Sequence, residues 1–473
     1  MMFFLLLSIL ISMAIGSCVV CILWPGQRFL RPYFLFKISL AAGLGFGITS
    51  CGLFIWLCVF GPGKGFIALE ISALACLAAI LSRMPKPEDS AIFSETGQPA
   101  SPRSMISAII TASFYIIVGS TAIVFIISSL EEPHGWWDAW GVWNSHARHI
   151  FRGGEHWKII FSDVGVGNPD YPLLIPVTIA RIWKYINTDT VIVPTLVGMI
   201  FTFGTAGLLA SSIAMLRGKT QGFLAAIILL STSLFVIWGT RQYADIPLGF
   251  FILATMALLC AHDRAQKKND TLLILAGLTA GCAAWTKNEG LLFLALITPL
   301  HFIAIAFTRG WRTCLKQLAF FVIGLAPVVL IIAYFKLQLA PSNVYVADVT
   351  SQAAAGTIVE SLSGVSKYIL VLKVFAKEML NFGECVVKPV PLLIACLFLA
   401  GIKVQAKDKL NIITSCMALC LMMAGYFFLY VRMPIEEIHR VLATTVLLDR
   451  LFLQLWPSFI FIYFLVVRTT DEG

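Results

Sequence analysis

The sequence predicts an all-α polytopic membrane protein, and both its composition and its hydropathy pattern require one. Of 473 residues, 59% are hydrophobic and 12% are charged, with a mean hydropathy of +0.88. A water-soluble domain of this length needs far more polar surface. The pattern agrees, because apolar stretches begin near residues 3, 34, 65, 106, 190, 220, 246, 271, 290, 317, 389, 410 and 451. Each has the roughly 18–25 residues that cross a hydrocarbon core of about 30 Å, so about thirteen transmembrane helices are expected.

Orientation follows from the short loops. Arg28, Arg31 and Lys37 share one loop, Arg83, Lys86 and Arg103 the next, then Arg217 with Lys219, Arg264 with Lys267 and Lys268, Arg309 with Arg312 and Lys316, and Lys403 with Lys407 and Lys409. These loops alternate with loops poor in basic residues, which makes them cytoplasmic by the positive-inside rule. The N-terminus is then expected outside and the C-terminus inside. The net charge of +9, from 34 basic and 25 acidic residues, reflects topology and calls for no nucleic-acid partner.

Residues 3–23 mimic a signal peptide, and Ile15-Gly16-Ser17-Cys18 mimics a lipoprotein cleavage site. The stretch lacks a basic leader and its Cys18 falls toward the cytoplasmic end, so no processing is expected. Of twelve cysteines only Cys385 falls in an outside loop, which argues against a disulfide framework.

Two outside segments, 130–189 and about 339–388, interrupt the spans. The first holds Trp140, Trp143, Ala147, Ile150 and Phe151 at helical spacing, closed by Gly153-Gly154, as expected of an interfacial helix. A second helix over Leu173–Ile186 follows Pro172 and is too short to cross. The later segment carries an amphipathic stretch from Tyr368 to Phe382, read as a lid or surface helix. Within this frame Asp138, Asp245, Lys287 and Arg450 stand at the ends of different spans, and the crossing count puts all four on the outer face. Charges kept at helix ends in so apolar a chain point to function.

Several motifs stand in a definite order: Trp137-Asp138-Ala139-Trp140 before the interfacial helix, His146-Ala147-Arg148-His149-Ile150-Phe151-Arg152-Gly153-Gly154, Asn168-Pro169-Asp170-Tyr171-Pro172-Leu173, Tyr243-Ala244-Asp245-Ile246-Pro247-Leu248 and Ala284-Trp285-Thr286-Lys287. In this order, over roughly residues 106–310, the chain resembles the integral-membrane glycosyltransferases of the GT-C type. Within that type it is similar to the protein O-mannosyltransferases and the bacterial aminoarabinose transferases. In that family the catalytic acid usually follows the first span, whereas here three spans precede the one that ends at Asp138. A chain that starts outside needs three extra crossings to bring this loop to the same face. The family's Pro-Pro motif is replaced by Asn-Pro-Asp-Tyr-Pro.

The resemblance implies transfer of a sugar from a polyprenyl monophosphate to a hydroxyl of a lipid, glycan or protein acceptor outside the plasma membrane. Such chemistry needs a base for the acceptor proton and cations for the leaving phosphate. Asp138 is the candidate base, with an N-cap of the following helix as the plain alternative. Arg450 is the first candidate for the phosphate, unless it only anchors the interface or pairs with Asp449. Lys287 and Arg241 come next, and Glu289 is placed to neutralise Lys287. Asp170, Tyr171, Asp245 and His439 are candidate substrate contacts, Asp245 being equally suited to cap its helix, and Arg440 lies beside His439.

His146 and His149, spaced i and i+3, let a divalent metal site be drawn, but nothing fixes the remaining ligands, so no cofactor is expected. The chain divides into extra N-terminal helices (1–105), a GT-C-like core (106–338), the outside loop 339–388 and C-terminal helices (389–473). Two other functions stay open: a ligase acting on polyprenyl-diphosphate glycans, and a lipid or solute transporter. A transporter would carry its charges in mid-span and show repeated halves, and neither pattern is present.

Overall fold

Every apolar stretch forms a helix near where hydropathy places it. The computed structural model describes residues 1–25, 31–85, 105–162, 167–265, 269–341, 365–432 and 446–468. Of the residues singled out above, Arg28, Lys86, Arg103, Lys267, Lys268, His439 and Arg440 lie outside the described residues. In chain order come α1 (Met2–Leu23), α2 (Arg31–Val59), α3 (Phe66–Arg83) and α4 (Met105–Glu131), then the short α5 (Asn144–Arg152) and α6 (Leu174–Ile186). The chain continues with α7 (Ile192–Arg217), α8 (Lys219–Ser231), α9 (Ser233–Thr240), α10 (Asp245–Arg264), α11 (Thr271–Thr286), α12 (Asn288–Arg309) and α13 (Trp311–Tyr334). Last are α14 (Val365–Asn381), α15 (Pro389–Ala400), α16 (Lys409–Arg432) and α17 (Val446–Val466). No strand occurs among the described residues.

Ten of these helices are long and apolar enough to cross a membrane, or eleven with α8 and α9 taken as one bent span. Helices α11 and α15 are apolar but shorter, so a count of thirteen requires both to cross as well. The apolar window of α10 is 100% buried and that of α17 83%, against 11% for α3 and α4, which sets α10 at the centre and α3 and α4 at the rim. Ile109, Ile116, Ile123 and Leu130 of α4 face outward, as suits contact with lipid tails.

Around α10 pack α7, α11 and α17. On the next layer α11 and α13 meet through Gly277 and Gly324. A Cβ on either glycine would stand 1.9 Å from a carbonyl oxygen of the other helix, Phe321 and Ile274 respectively. Without a hydrophobic drive between helices in lipid, small residues of this kind permit the backbone approach that holds them together.

The bend between α8 and α9 is 64° and falls at Thr232. The Thr232 hydroxyl donates to the Ile228 carbonyl at 2.8 Å and accepts the Trp456 indole N–H at 3.1 Å, a side-chain intrusion of the kind that bends helices. The bend steers α9 so that it ends at Arg241.

The interfacial helix expected from Trp140 onward forms in two parts, a π-helical turn over Ala139–Trp143 and then α5, with Gly153 ending it. The widened turn breaks the 3.6-residue register. Trp143, Ala147 and Ile150 are therefore buried while Trp140 points outward. Helix α6 is buried on every side. Its Arg181 donates to both Glu70 carboxylate oxygens on α3 at 2.6 Å and to the Ser8 carbonyl on α1 at 3.1 Å, and the Tyr185 hydroxyl donates to Glu70 at 2.6 Å. The amphipathic stretch forms α14, which lays Val371 and Phe375 against α16 and α17. At the far end of α10, Asp263 accepts from Arg309 at 2.5 and 2.8 Å and from Asn411 at 2.7 Å, while Arg264 pairs with Asp408.

Removing one partner of a buried pair strands the other charge, typically at a cost of about 3–5 kcal/mol. Glu70→Ala, which leaves Arg181 buried among α1, α3 and α6, is therefore expected to lower the melting temperature in detergent strongly, and Glu70→Gln less. Thermal unfolding followed by tryptophan fluorescence measures both.

Candidate active site

The site is assembled where the loop after α4 docks on the turn between α9 and α10. Gln242 in that turn holds a left-handed backbone, φ 62°, which a non-glycine residue keeps only when its surroundings insist. Its side chain supplies the reason. It accepts from Asn144 at 2.8 Å and donates to the Pro133 carbonyl and the Thr195 hydroxyl, each at 3.1 Å. The Trp136 N–H reaches the Arg241 carbonyl at 3.4 Å, and the Asp138 N–H donates to the Tyr243 hydroxyl at 2.8 Å. Gly135, φ 71°, lies so close that a Cβ would stand 2.7 Å from the Arg241 carbonyl oxygen. The loop is thus stitched to the turn on both sides of Asp138.

From Asp138 a chain of alternating charges runs inward. Asp138 Oδ2 is 2.7 Å from Arg450 Nη1, and Arg450 Nε is 3.1 Å from Asp245 Oδ2. Asp245 Oδ1 accepts from Lys287 Nζ at 3.0 Å, and the same ammonium lies 2.7 Å from Glu289 Oε1. The Gln454 amide also donates to Asp245 Oδ1, and its carbonyl accepts from the Tyr426 hydroxyl at 3.2 Å. Asp245 is wholly buried, and Lys287 and Arg450 are nearly so. Burial opposes the charge on Lys287, but Asp245 and Glu289 outweigh it and raise its pKa. Burial raises Tyr243 to about 12, the Asp138 backbone N–H opposing it, so its phenol stays neutral beside Asp138.

These contacts decide between several plain alternatives. Asp138 stands at the N-cap of the π-helical turn, yet its side chain makes no capping bond. Asp245 is the first residue of α10 rather than its cap; its carboxylate is taken by Arg450, Lys287 and Gln454, and none of these bonds goes to Arg241. Arg450 finds its carboxylates at Asp138 and Asp245 rather than at neighbouring Asp449. Lys287 makes the ion pair with Glu289 that the sequence allows, and a second one with Asp245.

Arg241 sits differently. Its guanidinium carbon lies 4.0 Å from the centre of the Trp136 ring and 4.5 Å from that of Trp238. Arg450 lies 5.5 Å from the same Trp238 ring and 4.5 Å from Tyr243. Asp170 and Tyr171 form a separate wall. Asp170 accepts from Asn288 at 2.9 Å, and Lys336 bridges the Asn288 side-chain oxygen at 2.8 Å and the Asp170 carbonyl at 2.5 Å. Tyr171 packs on Trp143 with ring centres 5.6 Å apart, and burial pushes its phenol pKa well up.

The two histidines of the interfacial helix face different surroundings. His149 Nδ1 is 2.9 Å from the Ser145 carbonyl, whereas His146 is wholly buried. Among the described residues no group of three or more His, Cys, Asp or Glu side chains is placed to hold a metal ion. His439 lies outside the described residues.

Sequence reasoning missed Gln454, Tyr426, Asn288 and Lys336. Gln454 alone carried a signal, one helical turn after Arg450. Lys336 ends a span far along the chain from Asp170, and only the packing of α13 reveals their contact.

Burial holds the His146 imidazole down to about 4, with the backbone of Gly167 opposing. The unfolded chain protonates this histidine near its ordinary 6.5, so stability is full above that pH and falls as pH drops from 6.5 toward 4. The shift is worth about 3 kcal/mol. Melting curves between pH 7.5 and 4.5 are expected to show this loss, and His146→Phe to flatten it.

Residues 184–342, about a third of the chain, match the family described as dolichyl-phosphate-mannose-protein mannosyltransferase. The matched stretch holds Arg241, Tyr243, Asp245, Lys287 and Glu289, and it begins after Asp138 and ends before Arg450. No curated protein and no solved structure matches the chain significantly. Carried on an all-helical polytopic frame, this match makes the chain a membrane glycosyltransferase and supports its resemblance to the GT-C type.

Proposed function

We propose that the protein transfers a sugar from a polyprenyl-monophosphate carrier to a hydroxyl of a lipid, glycan or protein acceptor on the outer face of the plasma membrane, with Asp138 as general base. The observation that carries this reading is the bridge of Arg450 between Asp138 and Asp245, which sets a carboxylate rim beside a guanidinium whose own position is held from below. A base and a phosphate ligand belong to one site, because the proton leaves the acceptor as the phosphate leaves the sugar.

In the step itself the acceptor oxygen attacks the anomeric carbon while Asp138 takes its proton. The bond from that carbon to the phosphate oxygen breaks, and the polyprenyl phosphate departs with one more negative charge than the diester carried. Arg450 and Arg241 face that charge, and Arg450 exchanges part of its contact with Asp138 for phosphate oxygens. Lys287 works from beneath, as the second cation on Asp245. Attack from the side opposite the phosphate implies inversion at the anomeric carbon. Asp170 and Tyr171, with Asn288 and Lys336, form the polar wall that would meet sugar or acceptor hydroxyls.

The test is release of free polyprenyl phosphate from labelled polyprenyl-phosphate mannose in membranes carrying wild type or Asp138→Asn. Loss of general base catalysis is expected to lower turnover by about 10²–10⁴-fold at equal expression and equal donor binding. Equal turnover in both would remove Asp138 from the mechanism. Turnover of a diphosphate-linked glycan instead would favour the ligase reading.

A further inference from the structure

The three candidate cations of the site are not equivalent. Lys287 and Arg450 each contact two carboxylates, Asp245 and Glu289 for the first and Asp138 and Asp245 for the second. Arg241 has neither an ion pair nor a side-chain hydrogen bond with any described residue. Its contacts are the faces of Trp136 and Trp238, at 4.0 and 4.5 Å from the ring centres. The two indoles lie edge to face, centres 5.8 Å apart at 75°.

This is an orienting arrangement. A guanidinium stacked on aromatic faces gains cation–π attraction without spending the N–H groups in its plane, so its fork of donors stays available for an oxyanion. Both indoles are themselves anchored. Trp238 is buried in α9 and packs on Tyr243 with centres 5.0 Å apart, and the Trp136 backbone is tied to the Arg241 carbonyl. Arg450 lies over the same Trp238 ring, so a second guanidinium borders the first. Two like charges sharing one aromatic ring repel, and an anion bound between them would relieve that repulsion.

We infer that Trp136 and Trp238 form an indole clamp that presents Arg241 as the first ligand of the donor's phosphate, which makes both tryptophans positioning residues for donor binding. The inference rests on the donor class proposed above. It assigns the initial capture of phosphate to Arg241, and leaves Arg450 and Lys287, already neutralised by carboxylates, to act once the anion has arrived.

Binding by the full-length protein in nanodiscs tests it, with polyprenyl phosphate and uncharged polyprenol of the same chain length as probes. Wild type should prefer the phosphate. Trp136→Leu and, independently, Arg241→Gln should cut that preference by about tenfold while leaving polyprenol binding unchanged. Trp136→Phe, which keeps an aromatic face, should restore most of it. In turnover Trp136→Leu should raise KM for the donor with little change in kcat, a split that general loosening of the fold would not produce. Wild-type preference retained in both Trp136→Leu and Arg241→Gln overturns the clamp while sparing the donor class. Absence of any phosphate preference in wild type overturns the donor class, and the clamp with it.

Discussion

The buried carboxylate of Asp245 is the interaction on which the rest of the site depends. An ion stripped of water at this depth costs several kcal/mol unless charges and hydrogen bonds replace the lost solvent. Arg450 and Gln454 from α17 and Lys287 from the turn between α11 and α12 supply that replacement, so one side chain ties three regions of the bundle together. Arg450 passes the constraint on to Asp138 at the rim. The candidate base is thus positioned, through Arg450, by the wholly buried Asp245.

Helix α10 carries this centre because it is pinned at both ends. Asp245 fixes one end, while Asp263 with Arg309 and Arg264 with Asp408 fix the other, about five helical turns away at 3.6 residues per turn. Between the two ends it is buried on all sides, so it has little freedom to slide or rotate against α7, α11 and α17. Helices α1 and α3 serve a related purpose. Glu70 of α3 and the Ser8 carbonyl of α1 grip Arg181 of α6, and α6 begins just after the Asp170-Tyr171 wall.

Where the chain must leave regular geometry, a side chain takes up the slack. The bend at Thr232 aims α9 at the site, the left-handed Gln242 is held by its three side-chain hydrogen bonds, and Gly135 admits a backbone approach that a Cβ would block. The π-helical turn after Asp138 turns Trp140 outward and Trp143 inward, beside Tyr171. These departures cluster around Asp138 and Arg241, where local deviation is most useful for aiming functional groups.

By itself the sequence determined the class, the position of nearly every helix and the short set of charges worth watching. Hydropathy is a local property, and the cost of a charge in lipid applies wherever that charge sits. Even the interfacial helix and the amphipathic α14 could be read from spacing. What only the tertiary structure decided is which charge meets which. Asp138, Asp245, Lys287 and Arg450 are separated by up to 312 positions, and their pairing depends on the rotation of each helix about its axis and on the docking of one loop. The stacking of Arg241 between Trp136 and Trp238, the link from Gln454 to Tyr426 and the reach of Lys336 to Asp170 arise the same way. Such contacts are set by packing between distant segments, and no local pattern in a single chain encodes them.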